Sequence, residues 1–184
     1  MSNVKWISDP LHSELGFKIR HLMISNVSGF IKHFRVEVET LEEDFSKASI
    51  LLTADMSTLS TNNEQRDKHL HSKDFFEVDN YPDLTFRSTN IEKINNEKFV
   101  LSGELTLKGI TKPVVMDAEF NGIIRDPERG TKAGFTITGK INRSGWGVSF
   151  NRVLESGGVG LGEDVNIISE IQLAKQEATE SIAI

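Results

Sequence analysis

Phe99-Val100-Leu101-Ser102-Gly103-Glu104-Leu105-Thr106-Leu107 sets the pattern of the chain. Every second residue is large and apolar, the signature of a strand with one buried face, but a glycine interrupts that face at its centre. The same design recurs in Val114-Met116-Ala118-Phe120, Phe135-Ile137-Gly139-Ile141 and Ile167-Ser169-Ile171-Leu173. It recurs again in Leu84-Phe86-Ser88, Val27-Gly29-Ile31 and Ile50-Leu52-Ala54-Met56. A close-packed interior fills its middle layer with branched aliphatics, because voids are costly. Small residues there predict a sheet curled around a lined cavity for something apolar, with Gly103 and Ala118 where a larger side chain would fill it.

Strands are expected at Glu14–His21, Val27 to about Val38, Ala48–Met56, Leu84–Ile91, Phe99–Leu107, Val114–Ile123, Ala133–Asn142 and Val165–Leu173. In the second, the apolar phase changes between Ile31 and Phe34, which places a β-bulge at Lys32-His33. Thr61-Asn62-Asn63-Glu64 reads as a capping box, Thr61 being the N-cap of a helix that runs to about His71. With Leu70 as its one apolar residue, that helix is suited to covering a barrel end rather than forming a core. Asp74-Phe75-Phe76 anchors the connection, and a glycine-laden excursion from Gly145 to Gly162 precedes the last strand. The fold class is therefore all-β: an antiparallel barrel of about eight strands, with a short helix between strands 3 and 4. Residues 1–175 are read as a single domain and 176–184 as a C-terminal tail.

The chain has 184 residues, 38% of them hydrophobic and 26% charged, with a net charge of −6 and no cysteine. That length suits one undivided barrel. The negative balance and the lack of a basic cluster argue against a nucleic-acid partner. Without cysteine there is neither a disulfide framework nor a thiolate metal site. His69 and His71 stand at i,i+2 on the helix and diverge, unlike the i,i+4 pairs of zinc helices, so no metal is expected. Ser156 to Gly162 lacks the Gly-Lys-Ser/Thr ending of a phosphate loop and leads into a strand, so it reads as turn chemistry. No G-x-S-x-G elbow is present, and catalysis is not expected. No apolar run is long enough to span a membrane, and the N-terminal residues lack signal-peptide character, so a cytoplasmic location without stable membrane insertion is expected.

Larger motifs then combine. Trp6 to Ser13 leads into Phe17-Lys18-Ile19-Arg20-His21, and Val27-Ser28-Gly29 follows. Thr61-Asn62-Asn63, Arg66 to Leu70, Asp74-Phe75-Phe76, Tyr81-Pro82 and Phe86-Arg87-Ser88 come next, with Gly103 to Thr111 completing the set. Together, from Trp6 to Leu173, the chain resembles the YceI-like family of lipocalin-like, polyisoprenoid-binding proteins. The resemblance implies a barrel that holds a long isoprenoid or similar lipid tail, supplies no catalytic residues, and leaves a homodimer open.

The expected function is binding, sequestration or transport of a long apolar lipid, most readily an isoprenoid or isoprenoid quinone, with no cofactor besides that lipid. The expected ligand-binding residues are Phe17, Ile19, His21, Arg66, Phe86, Gly103, Ala118, Phe120, Phe135, Gly139 and Trp146. His21 ends the Phe17/Ile19 face and would meet a polar head at a mouth; the rival reading is a buried histidine bonded to a backbone carbonyl. Arg66 would clamp a head group or, with Asp67, pin the helix to the barrel; the second reading is preferred, because so sparsely apolar a helix needs polar ties. Two alternative functions stand beside the carrier: an enzyme acting on a prenyl lipid through His21, and a stress-associated protein-interaction module.

Overall fold

A computed structural model describes residues 2–177 of the chain. Its strands are β1 (Asn3–Ser8), β2 (Glu14–His21), β3 (Ser25–Ile31), β4 (Phe34–Leu41), β5 (Asp44–Asp55), β6 (Leu59–Ser60), β7 (Asp83–Lys93), β8 (Lys98–Leu107), β9 (Ile110–Asp126), β10 (Gly130–Asn142) and β11 (Leu161–Lys175). One α-helix, α1 (Glu64–His71), lies between β6 and β7, and short 3₁₀ turns occupy Met56–Thr58 and Arg143–Trp146.

Register explains how these pieces make a barrel. β1 and β2 lie end to end along β11, Ser8 opposite Leu173 and Glu14 opposite Glu170, so they form one interrupted stave. β3 and β4 form the next, pairing with β2 and β1 respectively. β5 pairs with β4 and β6 with β3, which makes a third. β7, β8, β9, β10 and β11 follow in sequence order, each antiparallel to the one before. The result is a closed antiparallel barrel of eight strands. Closure pairs every stave on both sides and removes the free edges that an open sheet would expose.

The expected bulge at Lys32-His33 is the gap between β3 and β4. There the Lys32 amide donates to the Thr58 carbonyl and the His33 amide to Thr58 Oγ1. The 3₁₀ turn thus takes over the hydrogen bonds that the ladder drops, and the stave bends. A second irregularity lies between Gly134 and Phe135 of β10, opposite Asn121 of β9. β1 is an addition to the expected set: the first strand begins at Asn3, not Glu14. The helix is also capped differently. Asn63, not Thr61, is the N-cap, its Oδ1 accepting from the Arg66 amide. Of the expected C-terminal tail, residues 178–184 lie outside the described residues.

The two barrel ends differ. At the end holding the β4–β5 and β9–β10 turns, Trp6 is fully buried and its ring stands 5.1 Å from that of Phe45. Phe45 in turn packs on Phe135 at 5.0 Å, and Phe120 lies 5.2 Å from Phe135. These rings form a floor. At the other end α1 and the segment after β10 fold over the staves, with Phe75, Trp146 and Val148 buried.

Candidate functional site

Between floor and cover the barrel encloses a cavity of about 290 Å³. Its wall is almost wholly apolar, with Phe17, Phe86, Leu101, Met116, Ile137 and Ile167 among its members and Phe45 and Phe135 at its base. Polar side chains on the wall are His21, Thr61, Arg66, Arg143 and Ser169. His21 and Arg66 are exposed as well as cavity-lining, which places the mouth at the helix end.

Each rim residue is positioned by its element. His21 closes β2 opposite Ser25 and Leu161. It is exposed, so the reading of a buried, carbonyl-bonded histidine does not hold. Arg66 is held on α1 by Thr61: its Nε donates to Thr61 Oγ1 at 2.7 Å and an Nη to the Thr61 carbonyl at 2.8 Å. Asp67 Oδ1 accepts from both the amide and the hydroxyl of Thr61. These bonds tie the helix to Thr61, the residue that follows β6, and the Arg66 guanidinium remains on the cavity wall. The two helical histidines are engaged elsewhere. His69 Nε2 contacts Asp74 at 2.9 Å and its ring meets Phe75 and Phe150, while His71 bonds to the Leu59 carbonyl. Among the described residues no three His, Cys, Asp or Glu side chains gather as a metal site would need.

Arg143 is the rim residue that the sequence did not announce. It is buried, yet charged: Nε donates to the Gly162 carbonyl and Nη1 to those of Val148 and Phe150, at 2.7–2.9 Å. Burial pulls its pKa below the usual guanidinium value, and Glu163, 3.7 Å from Nη2, partly offsets that. A fork of planar donors is what holds three carbonyls at once, and here it fastens the excursion after β10 over the barrel. Nη2 of Arg143 and Oγ of Ser169 have no hydrogen-bond partner among the described residues. Arg143 directly follows the end of β10, and only the chain folding back over it makes it interior.

Of the residues expected to touch a ligand, Phe17, Ile19, His21, Arg66, Phe86, Ala118 and Phe135 line the cavity. Gly103, Gly139, Phe120 and Trp146 do not. A Cβ at Gly103 would lie 2.3 Å from the Phe86 ring, and one at Gly139 2.0 Å from Met116 Sδ. These glycines are covered by a neighbour's side chain rather than facing open space, and Gly29 is covered by Phe17 in the same way. Cross-strand side chains, two rings and a thioether, lie over these three glycines. Phe120 is the ring of the floor that does not reach the cavity, packed against Phe45 and Phe135, and Trp146 is a plug whose Nε1 donates to the Leu105 carbonyl. The cavity is bounded instead by those covering side chains, with Gly16, Ala48, Ala118 and Ser169 as the small residues on its wall.

Against known proteins, the chain matches the YceI-like domain over residues 6–173. The chain belongs to the YceI-like family. Within that family it is 41% identical over 170 residues to UPF0312 protein SA2479 of Staphylococcus aureus strain N315, spanning 92% of this chain and 96% of the relative. The crystal structure of the Campylobacter jejuni YCEI protein superposes with a TM-score of 0.73 at 34% identity, covering 88% of this chain and 91% of that one. A polyisoprenoid binding domain from Saccharophagus degradans, implicated in plant cell wall breakdown, shares the fold at a TM-score of 0.67 and 11% identity, covering 93% and 98%. Both solved structures thus share this barrel, the second at low sequence identity. Among the described residues no helix is long and apolar enough to cross a membrane.

Proposed function

We propose that this YceI-like barrel binds one long apolar lipid, an isoprenoid or isoprenoid quinone, with its tail toward the aromatic floor and its polar end at the His21–Arg66 rim. The observation that carries this reading is the polarity gradient of a single cavity, apolar from the Phe45–Phe135 base upward and polar at the mouth. The polyisoprenoid-binding description of the S. degradans domain with the same fold supports it. Tail burial supplies the affinity, at about 0.8 kcal/mol per methylene removed from water. Chain length therefore governs binding more than head identity does. A binding role rather than catalysis is in keeping with the polyisoprenoid-binding description of the S. degradans domain. A cytoplasmic site of action completes the reading, and subcellular fractionation tests it.

Solvent extraction of gently purified protein followed by mass spectrometry is the test. One isoprenoid or quinone per chain is the expected result, and Ala118→Phe, which places a ring on the cavity wall, should abolish uptake while the protein stays folded. An empty wild-type barrel that also refuses added quinones and prenyl alcohols would overturn the reading.

A further inference from the structure

Beside the mouth, the β2–β3 hairpin ends in an unusual tip. Leu22 and Met23 have φ of 50° and 63°, and the Ile24 amide donates to the His21 carbonyl. Two left-handed residues closed by such a bond make a type I′ turn, for which Asn-Gly is the favoured pair. Two bulky apolar side chains occupy it instead, and they are not there to be buried: Leu22 is 40% and Met23 53% exposed, and Ile24 beside them is 80% exposed. The segment after β10 adds to the same surface. The Leu22 amide donates to the Gly160 carbonyl, and the Gly160 amide to that of Arg152. Val153, 80% exposed, bridges to Val159, next to Gly158, which lies against Met23. Leu22, Met23, Ile24, Val153 and Val159 thus form one protruding apolar patch.

Basic residues border it. Arg20 packs on Gly162 and Arg152 on Gly160, both are exposed, and among the described residues neither pairs with a carboxylate. In a chain that is acidic as a whole, Arg20 and Arg152 are the cations beside the tip that an anionic surface would meet, with Glu155 the one carboxylate on the 153–159 segment. The tip is also continuous with the cavity, since His21 and Leu161, which flank it, both line the wall.

We propose that this tip is a membrane-docking surface: Leu22, Met23, Ile24 and Val153 enter an anionic lipid surface, Arg20 and Arg152 meet its head groups, and the cavity mouth is set against the bilayer. The proposal rests on the lipid-binding reading for its purpose, because an apolar tail passes from bilayer to barrel without crossing water only if the mouth abuts the membrane. A convex apolar tip with a basic border suits a lipid surface better than a protein groove.

Flotation with vesicles of phosphatidylcholine alone, or with equal parts phosphatidylglycerol, tests it. Wild-type protein should float with the anionic vesicles and more weakly with the neutral ones. Leu22→Asn, Met23→Gly and Ile24→Ser combined give the turn its favoured residues, so thermal stability should hold or rise while vesicle affinity falls about ten-fold or more. Arg20→Glu with Arg152→Glu should remove the preference for anionic vesicles. Wild-type protein that ignores both vesicles, or a triple variant that floats equally well, overturns the proposal. Lipid content, measured by extraction from the same preparations, separates the two readings. A filled barrel that never docks removes the docking surface alone, and an empty barrel that docks retains the surface and removes the carrier.

Discussion

Gly103 and Phe86 divide one volume between them, and the division has consequences for mutation. A side chain at 103 meets the Phe86 ring and, at 2.5 Å, the Arg87 carbonyl, which is backbone and cannot swing aside. Gly103→Leu should therefore unfold or strongly destabilise the barrel rather than merely occlude it, and Gly103→Ala should cost about 1–3 kcal/mol in a urea melt. Adding Phe86→Leu should recover only part of that, since the ring yields and the carbonyl does not. Arg143→Ala leaves three carbonyls without their donor, and about 3 kcal/mol or more should be lost, with faster amide exchange across residues 147–160. Arg143→Lys should not restore this, because one ammonium cannot reproduce the planar fork. Alternation made the inward faces legible, and with them Phe17, Phe86 and Ala118. What it could not give is which neighbour leans over each glycine, because that depends on register between strands far apart in sequence. Nor could it disclose Arg143, whose burial comes from residues that follow it.

At the scale of the element, α1 is a helix of eight residues with no buried side chain. So short a helix is not stable alone, and its place over the mouth depends on the bonds that Arg66 donates to Thr61, that Asp67 accepts from it, and that His71 makes with the Leu59 carbonyl. Asp67→Ala removes an acceptor shared by the Thr61 amide and hydroxyl and should cost about 1–2 kcal/mol. Its local mark should be loss of amide protection in α1 with the strands unaffected. The residues of that tie were readable from their chemistry, whereas the cap was placed two residues early, since Thr61 and Asn63 are both good N-caps and Thr61 is spent on Asp67 and Arg66. The β3–β4 break was readable because a phase slip leaves a trace in the residues themselves. β1 left less trace: it is short and continues the stave of β2, and what places it is its pairing with β4 and β11.

For the molecule as a whole, the floor end is bound by charge as well as by rings. Glu43, in the β4–β5 turn, contacts Lys175 of β11 at 3.1 Å and also Arg125 of β9. Hydrogen bonding from Lys175, opposed by burial and aided by Arg125, holds its carboxyl below the ordinary value of 4.5. A carboxylate depressed in the folded state stabilises the fold above its unfolded pKa and loses that contribution as pH falls through the folded one. Stability should thus decline below about pH 4.5, and Glu43→Gln should flatten part of that slope, by less than about 1 kcal/mol since the pair is partly exposed. Urea midpoints measured across pH 3 to 7 check this.

The seam that closes the barrel sets Trp6 opposite Lys175. Partners so distant in the chain put the last step of folding after the synthesis of nearly everything else, and high contact order makes that step slow. A nascent chain stalled before Leu161 lacks the stave that β1 and β2 require, and it exposes their apolar faces to solvent. Such arrested chains should engage chaperones and resist compaction, and a lipid tail should find nowhere to lodge until the ribosome has released residue 175.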